Sequence, residues 1–159
     1  MDFDHVDDTA GEPPAEWPEH FQGEARIQPF PNPFPADGAA VFAVHFGAGG
    51  RSRPHTHRHG QMLLITAGRG VVGDRSGRRS VGPGDVVVAQ PGEWHWHGAA
   101  PDSSVTHVTV QIAGPDSIDW DVDEGDWAEN YASGENGAPQ AGGRWQGRRE
   151  PARRPRPSA

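Results

Sequence analysis

Two histidine pairs with the same spacing constrain this chain more than any other feature. His55 and His57 are two residues apart, and His95 and His97 repeat that spacing further along the chain. On a β-strand, side chains two residues apart point to the same face, so each pair presents two imidazoles to one side. Neutral imidazole is the commonest metal-ligating side chain. Two strands that aim such pairs at one interior can hold a divalent cation between them.

The composition limits the classes of fold and function that remain. The 159 residues suffice for one domain with its own core, and 22 Gly and 16 Pro favour turns and short strands over long helices. The absence of cysteine excludes disulfides, thiolate ligands and cysteine nucleophiles. All 14 basic residues are arginine, which excludes Schiff-base chemistry on a lysine. The net charge of −8 argues against general binding of nucleic acid.

The sequence contains no signal for a membrane or for export. No run of about 18 apolar residues is present, and such a run is what a membrane-spanning helix requires. The acidic start, residues 1–4, is unlike a signal peptide. We therefore expect a cytoplasmic protein that makes no membrane contact.

Short strand candidates, separated by glycine and proline, run from residue 21 to about residue 113. The clearest are 41–46, 61–66, 85–90 and 104–112, and nothing in this span has a sustained helical period. This pattern is typical of a closed all-β sandwich or barrel. In 104–112, alternation puts His107, Thr109 and Gln111 on one face.

The two ends of the chain differ from this central part. Residues 1–19 are acidic and proline-rich, which predicts a flexible arm, and residues 132–159 predict a disordered tail rich in Gly, Pro and Arg. Residues 116–131 are interpreted as a short helix or an extended packing segment. Alternating proline and phenylalanine in 29–35 predict either an extended strap, against the barrel or a second subunit, or an ordered surface loop.

The histidine stretches and their flanking glycines resemble the two motifs of the cupin family. The first cupin motif reads glycine, five residues, His-x-His, three or four residues, glutamate, six residues, glycine. It is matched at Gly49, His55, His57, Gln61 and Gly68, with glutamine in place of the usual glutamate. The second motif is matched at Gly84, Asp85, Pro91, Gly92 and His95, with Gln90 where proline is usual and Ala99 where many members have asparagine.

Within the cupins, the chain resembles the bacterial manganese-dependent hydroxynitrile lyases over about residues 20–131. The stretch 91–99 (Pro-Gly-Glu-Trp-His-Trp-His-Gly-Ala) and the pair Thr106–His107 carry this resemblance. It implies a jelly-roll barrel, the double-stranded β-helix, over 20–131, a small-molecule substrate and a homodimer. It also implies a metal site formed by His55, His57, Gln61 and His95. Manganese is favoured as the metal, with Fe, Zn, Ni and Co also compatible with nitrogen and oxygen ligands.

His97 and His107 match the non-ligand active-site histidines of the same subgroup. His97 lies about 6.5–7 Å along the strand from His95, which is too far to share the metal easily but suits a base that faces a metal-bound substrate. We expect His97 or His107 to move the proton, while the other orients it by a hydrogen bond. Phe42 and Val44 are candidates for the pocket wall or the core, and Gln111 is a further pocket candidate.

Three functions are consistent with these residues. The first is a metal-dependent lyase that cleaves or forms a cyanohydrin. A glutamine ligand favours it, because it leaves the cation its full charge and makes it a stronger Lewis acid than glutamate would. The second is an iron-dependent cupin dioxygenase of the quercetinase type. The third is a barrel that binds a small molecule without catalysis, since a fold alone does not decide function.

Overall fold

Strands form where apolar and polar residues alternate, or where several apolar residues follow one another, between turns that contain glycine and proline. A computed structural model describes residues 1–14 and 18–132 of the chain. The strands are β1 (Phe21–Gln22), β2 (Ala25–Pro29), β3 (Ala39–Phe46), β4 (Arg51–Ser52), β5 (Thr56–His57), β6 (Gln61–Gly68), β7 (Gly70–Asp74), β8 (Gly77–Val81), β9 (Val86–Ala89), β10 (His95–Ala99), β11 (Val105–Ile112) and β12 (Ile118–Asp119). A 3₁₀ helix (Pro18–His20) precedes β1, and helix α1 (Trp127–Ala132) follows β12.

Ten of these strands form two antiparallel sheets. The first sheet has the order β2-β3-β11-β6-β9, and the second has the order β1-β4-β10-β7-β8. The main core cluster combines side chains from both sheets, including Phe46, Leu63 and Ile65 of the first and Val81 and Ala99 of the second. The core therefore lies between the two sheets, as in a jelly roll. The predicted all-β jelly-roll barrel is confirmed.

Strand β6 shows how the sequence pattern sets the two faces of the first sheet. Gln61, Leu63 and Ile65 are buried, while Met62 and Leu64 between them are exposed. The pairing of β6 with β11 shifts register between Thr106 and His107. A bulge of this kind re-aims side chains locally, and here both Thr106 and His107 are buried.

The segment after β11 packs on the outer face of the second sheet. Trp94 and Trp96 lie in a second apolar cluster with Trp127 of α1, against which Tyr131 also packs. The guanidinium of Arg51 stacks on the rings of Trp127 and Tyr131, at 4.6 and 3.8 Å from their centroids. Residues 116–131, predicted as a helix or an extended packing segment, thus contain both a short strand and a short helix.

The described part of the N-terminal arm lies against the outer face of the first sheet. Arg26 donates hydrogen bonds to the backbone carbonyls of Ala10 and Asp8, and Gln28 donates to the carbonyl of His5. The flexibility predicted for residues 1–19 stays a prediction. The predicted tail, residues 132–159, lies outside the described residues except for Ala132. Among the described residues, no helix has the length and apolar character needed to cross a membrane.

Candidate metal centre

Three imidazoles from two neighbouring segments converge at one point of the barrel interior. His57 is in β5, and His55 just before it forms a β-bridge with His95 of β10. The ring centroid of His55 lies 4.4 Å from that of His95 and 5.0 Å from that of His57, and those of His57 and His95 are 5.4 Å apart. All three side chains are buried. The structure therefore brings the three predicted histidine ligands together.

A tight turn adds the amide of Gln61 to this group. Gly60 adopts a φ of +82°, which glycine tolerates, and its N–H donates to the carbonyl of His57. A Cβ at Gly60 would lie 2.8 Å from the carbonyl oxygen of Ala89, so a larger residue does not fit without movement. After the turn, Gln61 Oε1 lies 3.1 Å from His95 Nε2. The predicted ligand Gln61 thus lies beside His95, one of the three clustered imidazoles.

Hydrogen bonds to backbone carbonyls set the tautomers of two of these imidazoles. Nδ1 of His55 donates to the carbonyl of Arg53 at 2.9 Å, and Nδ1 of His95 donates to the carbonyl of Glu93 at 2.8 Å. In a neutral ring, a proton on Nδ1 leaves Nε2 with a lone pair. This is the arrangement in which histidine binds a metal.

Two further observations support a cation at this position. Gln61 Nε2 donates to Gln111 Oε1 at 3.0 Å, so Gln61 Oε1 faces the unprotonated Nε2 of His95. Two acceptors at this distance repel each other unless a cation lies between them. Both ring nitrogens of His57 are buried and have no hydrogen-bond partner among the described residues. A buried polar atom of this kind is costly unless a ligand satisfies it.

Burial keeps these imidazoles uncharged at neutral pH. Desolvation, with a contribution from neighbouring histidines, lowers the pKa of His55 and His97 well below 6.5. Desolvation, with a smaller effect of His95, lowers the pKa of His57 to about 4. It also lowers the pKa of His95, although hydrogen bonding to the Glu93 carbonyl opposes the change. A set of neutral imidazoles and one amide oxygen fits a divalent first-row metal ion.

His97 and His107 form a hydrogen-bonded pair beside the four candidate ligands. His107 Nε2 lies 3.2 Å from His97 Nδ1, and His107 Nδ1 lies 3.2 Å from Thr109 Oγ1. The Phe46 ring packs against both imidazoles, with centroid distances of 5.8 and 6.0 Å. Burial lowers the pKa of His107 to about 3, with a smaller effect of His45. His97, His107 and Thr109 therefore form a hydrogen-bonded chain of uncharged groups that orient one another.

His97 also competes with His57 as a metal ligand on distance alone. One nitrogen each of His55, His95 and His97 lie within 4.8 Å of one another. However, Nδ1 of His97 is already engaged by His107, whereas both nitrogens of His57 lack a partner. The hydrogen bonding favours His57 as the third imidazole ligand and leaves His97 beside the site.

A cavity of about 840 Å³ reaches His95 and His97 from the side of β8 and β9. Its lining is mixed: apolar residues include Leu63, Val72, Val81, Val87 and Ala89, and charged residues include Asp74, Arg79 and Asp85. The apolar lining residues were not predicted from the sequence. Two of them have a relation to a predicted residue: Leu63 lies on the same inward face of β6 as Gln61, and Val72 of β7 pairs with His97 of β10. The histidines thus meet a cavity of mixed polar and apolar lining that is large enough for a small organic molecule.

None of the three predicted pocket residues lines this cavity. Val44 belongs to the core cluster, and Phe42 packs against that cluster, because inward side chains of β3 fill the space between the sheets. Gln111 instead accepts the hydrogen bond of the Gln61 amide. The assignment of Phe42, Val44 and Gln111 to a substrate pocket stays a prediction.

The C-terminal segment covers the histidine cluster from another side. Strand β12 pairs with β5, with Ile118 opposite His57. Trp120 then stacks on His20 at 4.3 Å between ring centroids and also contacts the His55 ring at 4.4 Å. No local sequence signal links Trp120 to the histidine stretch, because only the pairing of β12 with β5 brings them together.

Comparison with known proteins identifies the family. The family model described as the cupin domain matches residues 42–111. An (R)-mandelonitrile lyase from Granulicella tundricola is 44% identical over 116 residues, covering 70% of this chain and 85% of that protein.

Solved structures share the fold described above. A cupin-like protein from Thermotoga maritima matches with a TM-score of 0.64 at 29% identity, over 76% of this chain and 90% of its own. A polyketide cyclase from Streptomyces resistomycificus matches with a TM-score of 0.59 at 17% identity, over 82% and 96%, which shows a likeness of fold alone. The chain belongs to the cupin family, in the subgroup similar to (R)-mandelonitrile lyase, and carries a histidine cluster that fits a divalent metal ion.

Proposed function

We propose that this cupin is a metal-dependent lyase of hydroxynitrile type, with manganese bound by His55, His57, Gln61 and His95. The observation that carries the proposal is the convergence of three uncharged imidazoles and one amide oxygen beside the buried His97–His107 pair. The 44% identity to an (R)-mandelonitrile lyase supports this reaction class. The apolar part of the cavity lining, which includes Leu63, Val72 and Val87, suits the aldehyde part of a cyanohydrin.

The composition of the ligand set fits this chemistry. None of the four proposed ligands carries a negative charge, so a bound divalent cation would act as a strong Lewis acid toward cyanide or a substrate oxygen. The protein's own contribution is to hold the ligand atoms in place. The carbonyls of Arg53 and Glu93 do so for two imidazoles, and Gln111 does so for the amide.

His97 is the proposed proton carrier. In cyanohydrin cleavage, it accepts the hydroxyl proton while the bond to the nitrile carbon breaks and its electron pair leaves as cyanide. The proton then passes from His97 to cyanide, giving hydrogen cyanide and the aldehyde. His97 lines the cavity, and its lowered pKa keeps it free to accept a proton at neutral pH.

The role of His107 is to set the proton position on His97. If His107 Nδ1–H donates to Thr109 Oγ1, then His107 Nε2 accepts a hydrogen bond from His97 Nδ1–H, and His97 Nε2 is free as a base. If the Thr109 hydroxyl instead donates to His107 Nδ1, then His107 Nε2–H donates to His97 Nδ1. His97 Nε2 then carries the proton and can act as an acid. These two states match the two directions of a reversible cyanohydrin reaction.

The test is metal analysis of protein purified without added metal, followed by two activity assays. We expect manganese, cleavage of mandelonitrile to benzaldehyde and cyanide, and no substrate-dependent uptake of oxygen. Iron with oxygen uptake and no mandelonitrile cleavage would replace the proposal with the dioxygenase alternative. Bound metal without either activity would favour a binding protein.

A further inference from the structure

An arginine without a protein partner lines the cavity that reaches His97. Arg79 is exposed and lies in the middle of β8, the edge strand of the second sheet. It lines the cavity together with Val72 and His97. Its guanidinium makes no hydrogen bond and no ion pair with any residue in the described ranges. A cation in this position has all its N–H donors available to a ligand.

The strand register places Arg79 in one row with His97, the proposed proton carrier. His97 pairs with Val72, and Val72 pairs with Arg79. Val81 belongs to the core between the sheets, and Arg79, two residues before it, shares its inward face. Neighbouring strands lie about 4.8 Å apart, so the backbones of Arg79 and His97 are about 10 Å apart, with Val72 between them. A small ligand can therefore meet His97 at one end and Arg79 at the other.

The carboxylates that line the same cavity are engaged by their own turns. Each accepts a hydrogen bond from a backbone N–H group two or three residues away, and they are Asp74, Asp85 and Glu93. Desolvation raises the pKa of Asp74, but hydrogen bonds from Ser76 and Gly77 and, last, the charge of Arg79 lower it. Asp74 and Arg79 nevertheless form no ion pair. The carboxylates therefore serve the turns, and the Arg79 guanidinium keeps its donors unused.

We propose that Arg79 is a specificity-determining residue that binds a carboxylate at the end of the substrate remote from the reacting carbon. A guanidinium presents two parallel N–H donors that match the two oxygens of a carboxylate. Val72 and Val87 line the cavity with Arg79 and suit an apolar spacer such as a phenyl ring. The substrate class is then a cyanohydrin or aldehyde that carries a carboxylate on its ring. This class rests on the proposed function, whereas carboxylate binding at Arg79 does not require that reaction.

Protection of a sheet edge is the alternative role for Arg79. Strand β8 ends the second sheet, and an inward-pointing charge on an edge strand hinders pairing with another chain. That role requires the charge alone and predicts no difference between anionic and neutral ligands. A comparison of two such ligands therefore separates the two roles.

The first experiment measures ligand binding to the full chain by isothermal titration calorimetry. The probes are para-hydroxymethylbenzoate and the neutral para-hydroxymethylbenzamide, which have nearly the same shape. We expect the unmodified protein to bind the carboxylate about tenfold more tightly than the amide, as one charge-assisted hydrogen bond allows, with a smaller preference at high salt. Equal affinities, or tighter binding of the amide, would overturn the proposal without any variant having to fold.

Variants then test whether Arg79 is the source of the preference. Arg79→Gln should lose the preference for the carboxylate, and Arg79→Lys, which keeps the charge without the paired donors, should retain part of it. The matched control Arg69→Gln removes the same charge from an exposed arginine that pairs with Asp102 away from the cavity, and it should keep the full preference. A preference that survives in Arg79→Gln would place the carboxylate elsewhere, for example on a bound metal, and the proposal would be wrong.

Activity assays separate this inference from the proposed function. We expect the unmodified protein to cleave para-carboxymandelonitrile with a higher kcat/KM than mandelonitrile, and Arg79→Gln to reduce the ratio of the two values. If neither cyanohydrin is cleaved but the carboxylate is still preferred in the binding assay, the proposed function fails and the role of Arg79 stands. If both are cleaved at equal kcat/KM, the proposed function stands and the role of Arg79 is refuted.

Discussion

At the residue scale, the identity of the third imidazole ligand decides how the site works. His57 has two buried nitrogens without a partner, and His97 has one nitrogen engaged by His107. We predict that His57→Ala loses the metal. His97→Ala should keep it and lower kcat by about 10²–10⁴, the usual contribution of a general base. Metal content by mass spectrometry and steady-state kinetics test both. If His97→Ala lost the metal and His57→Ala kept it, His97 would be the third imidazole ligand and His57 would not.

Gln111 offers a second prediction at this scale, because it orients a ligand without belonging to the ligand set. It accepts the hydrogen bond of Gln61 Nε2, which turns Gln61 Oε1 toward His95. Gln111→Leu removes that acceptor, and we predict about 10–100-fold weaker metal binding, as is typical when such a supporting group is lost. Titration against a chelator measures the change. The control Gln111→Glu keeps an acceptor and should retain affinity; equal losses in both variants would contradict this role.

At the element scale, β12 and the residue after it link the end of the chain to the metal centre. The ladder between β12 and β5 holds His57, and the Trp120 ring lies between His20 and His55. A partly exposed tryptophan in such a contact contributes less than a core tryptophan, whose loss costs about 3–5 kcal/mol. The pairing therefore supports the histidine strand from outside the barrel.

We predict that Trp120→Ala lowers the free energy of unfolding by about 2 kcal/mol and weakens metal binding, since the His55 ring loses its neighbour. Urea denaturation of the metal-free protein and a chelator titration measure the two effects separately. Trp120→Phe, which keeps an aromatic surface, should be affected less. If Trp120→Ala binds metal as tightly as the unmodified chain, the segment after β11 has no part in positioning His55.

At the scale of the whole molecule, the buried histidines couple stability to pH. Burial lowers the pKa of the described histidines in the barrel interior below the ordinary value of 6.5. Burial also lowers the pKa of His45 on the outer side of β3, with Arg26 adding to the effect. Between the lowered values and 6.5, the unfolded chain binds protons that the folded chain does not. Folding therefore becomes less favourable as pH falls below 6.5.

We predict that Tm of the metal-free protein falls steeply from about pH 7 to about pH 5. Over this range, each such histidine lowers the free energy of unfolding by up to about 1.4 kcal/mol for each pH unit. Differential scanning calorimetry in the presence of a chelator measures the fall. The metal-loaded protein should start from a higher Tm and show a steeper fall, because protons and the cation compete for the same nitrogens. A Tm that is independent of pH over this range would show that the imidazoles accept protons without unfolding.

Local sequence determined much of this protein. Alternation and the glycine and proline turns predicted an all-β barrel. The spacing of His55 and His57, with the family resemblance, predicted a ligand set in which the structure places the three imidazoles near one another and Gln61 beside His95. The fold prediction succeeded because period-two alternation assigns a strand residue to a face from its own position alone, whereas the ligand set stays a prediction.

Tertiary structure alone decided which residues surround the four candidate ligands. Phe42 and Val44 lie on the inward face of β3 and pack in the core, and of the residues packed in that core it is Leu63, Val72, Val81 and Val87 that also line the cavity. The link between Gln61 and Gln111, the contact of Trp120 with His55 and the exposure of Met62 and Leu64 also depend on how distant strands pair. Alternation determines the face of the sheet to which a side chain points. Only the order and register of the strands determine which residues that face contacts.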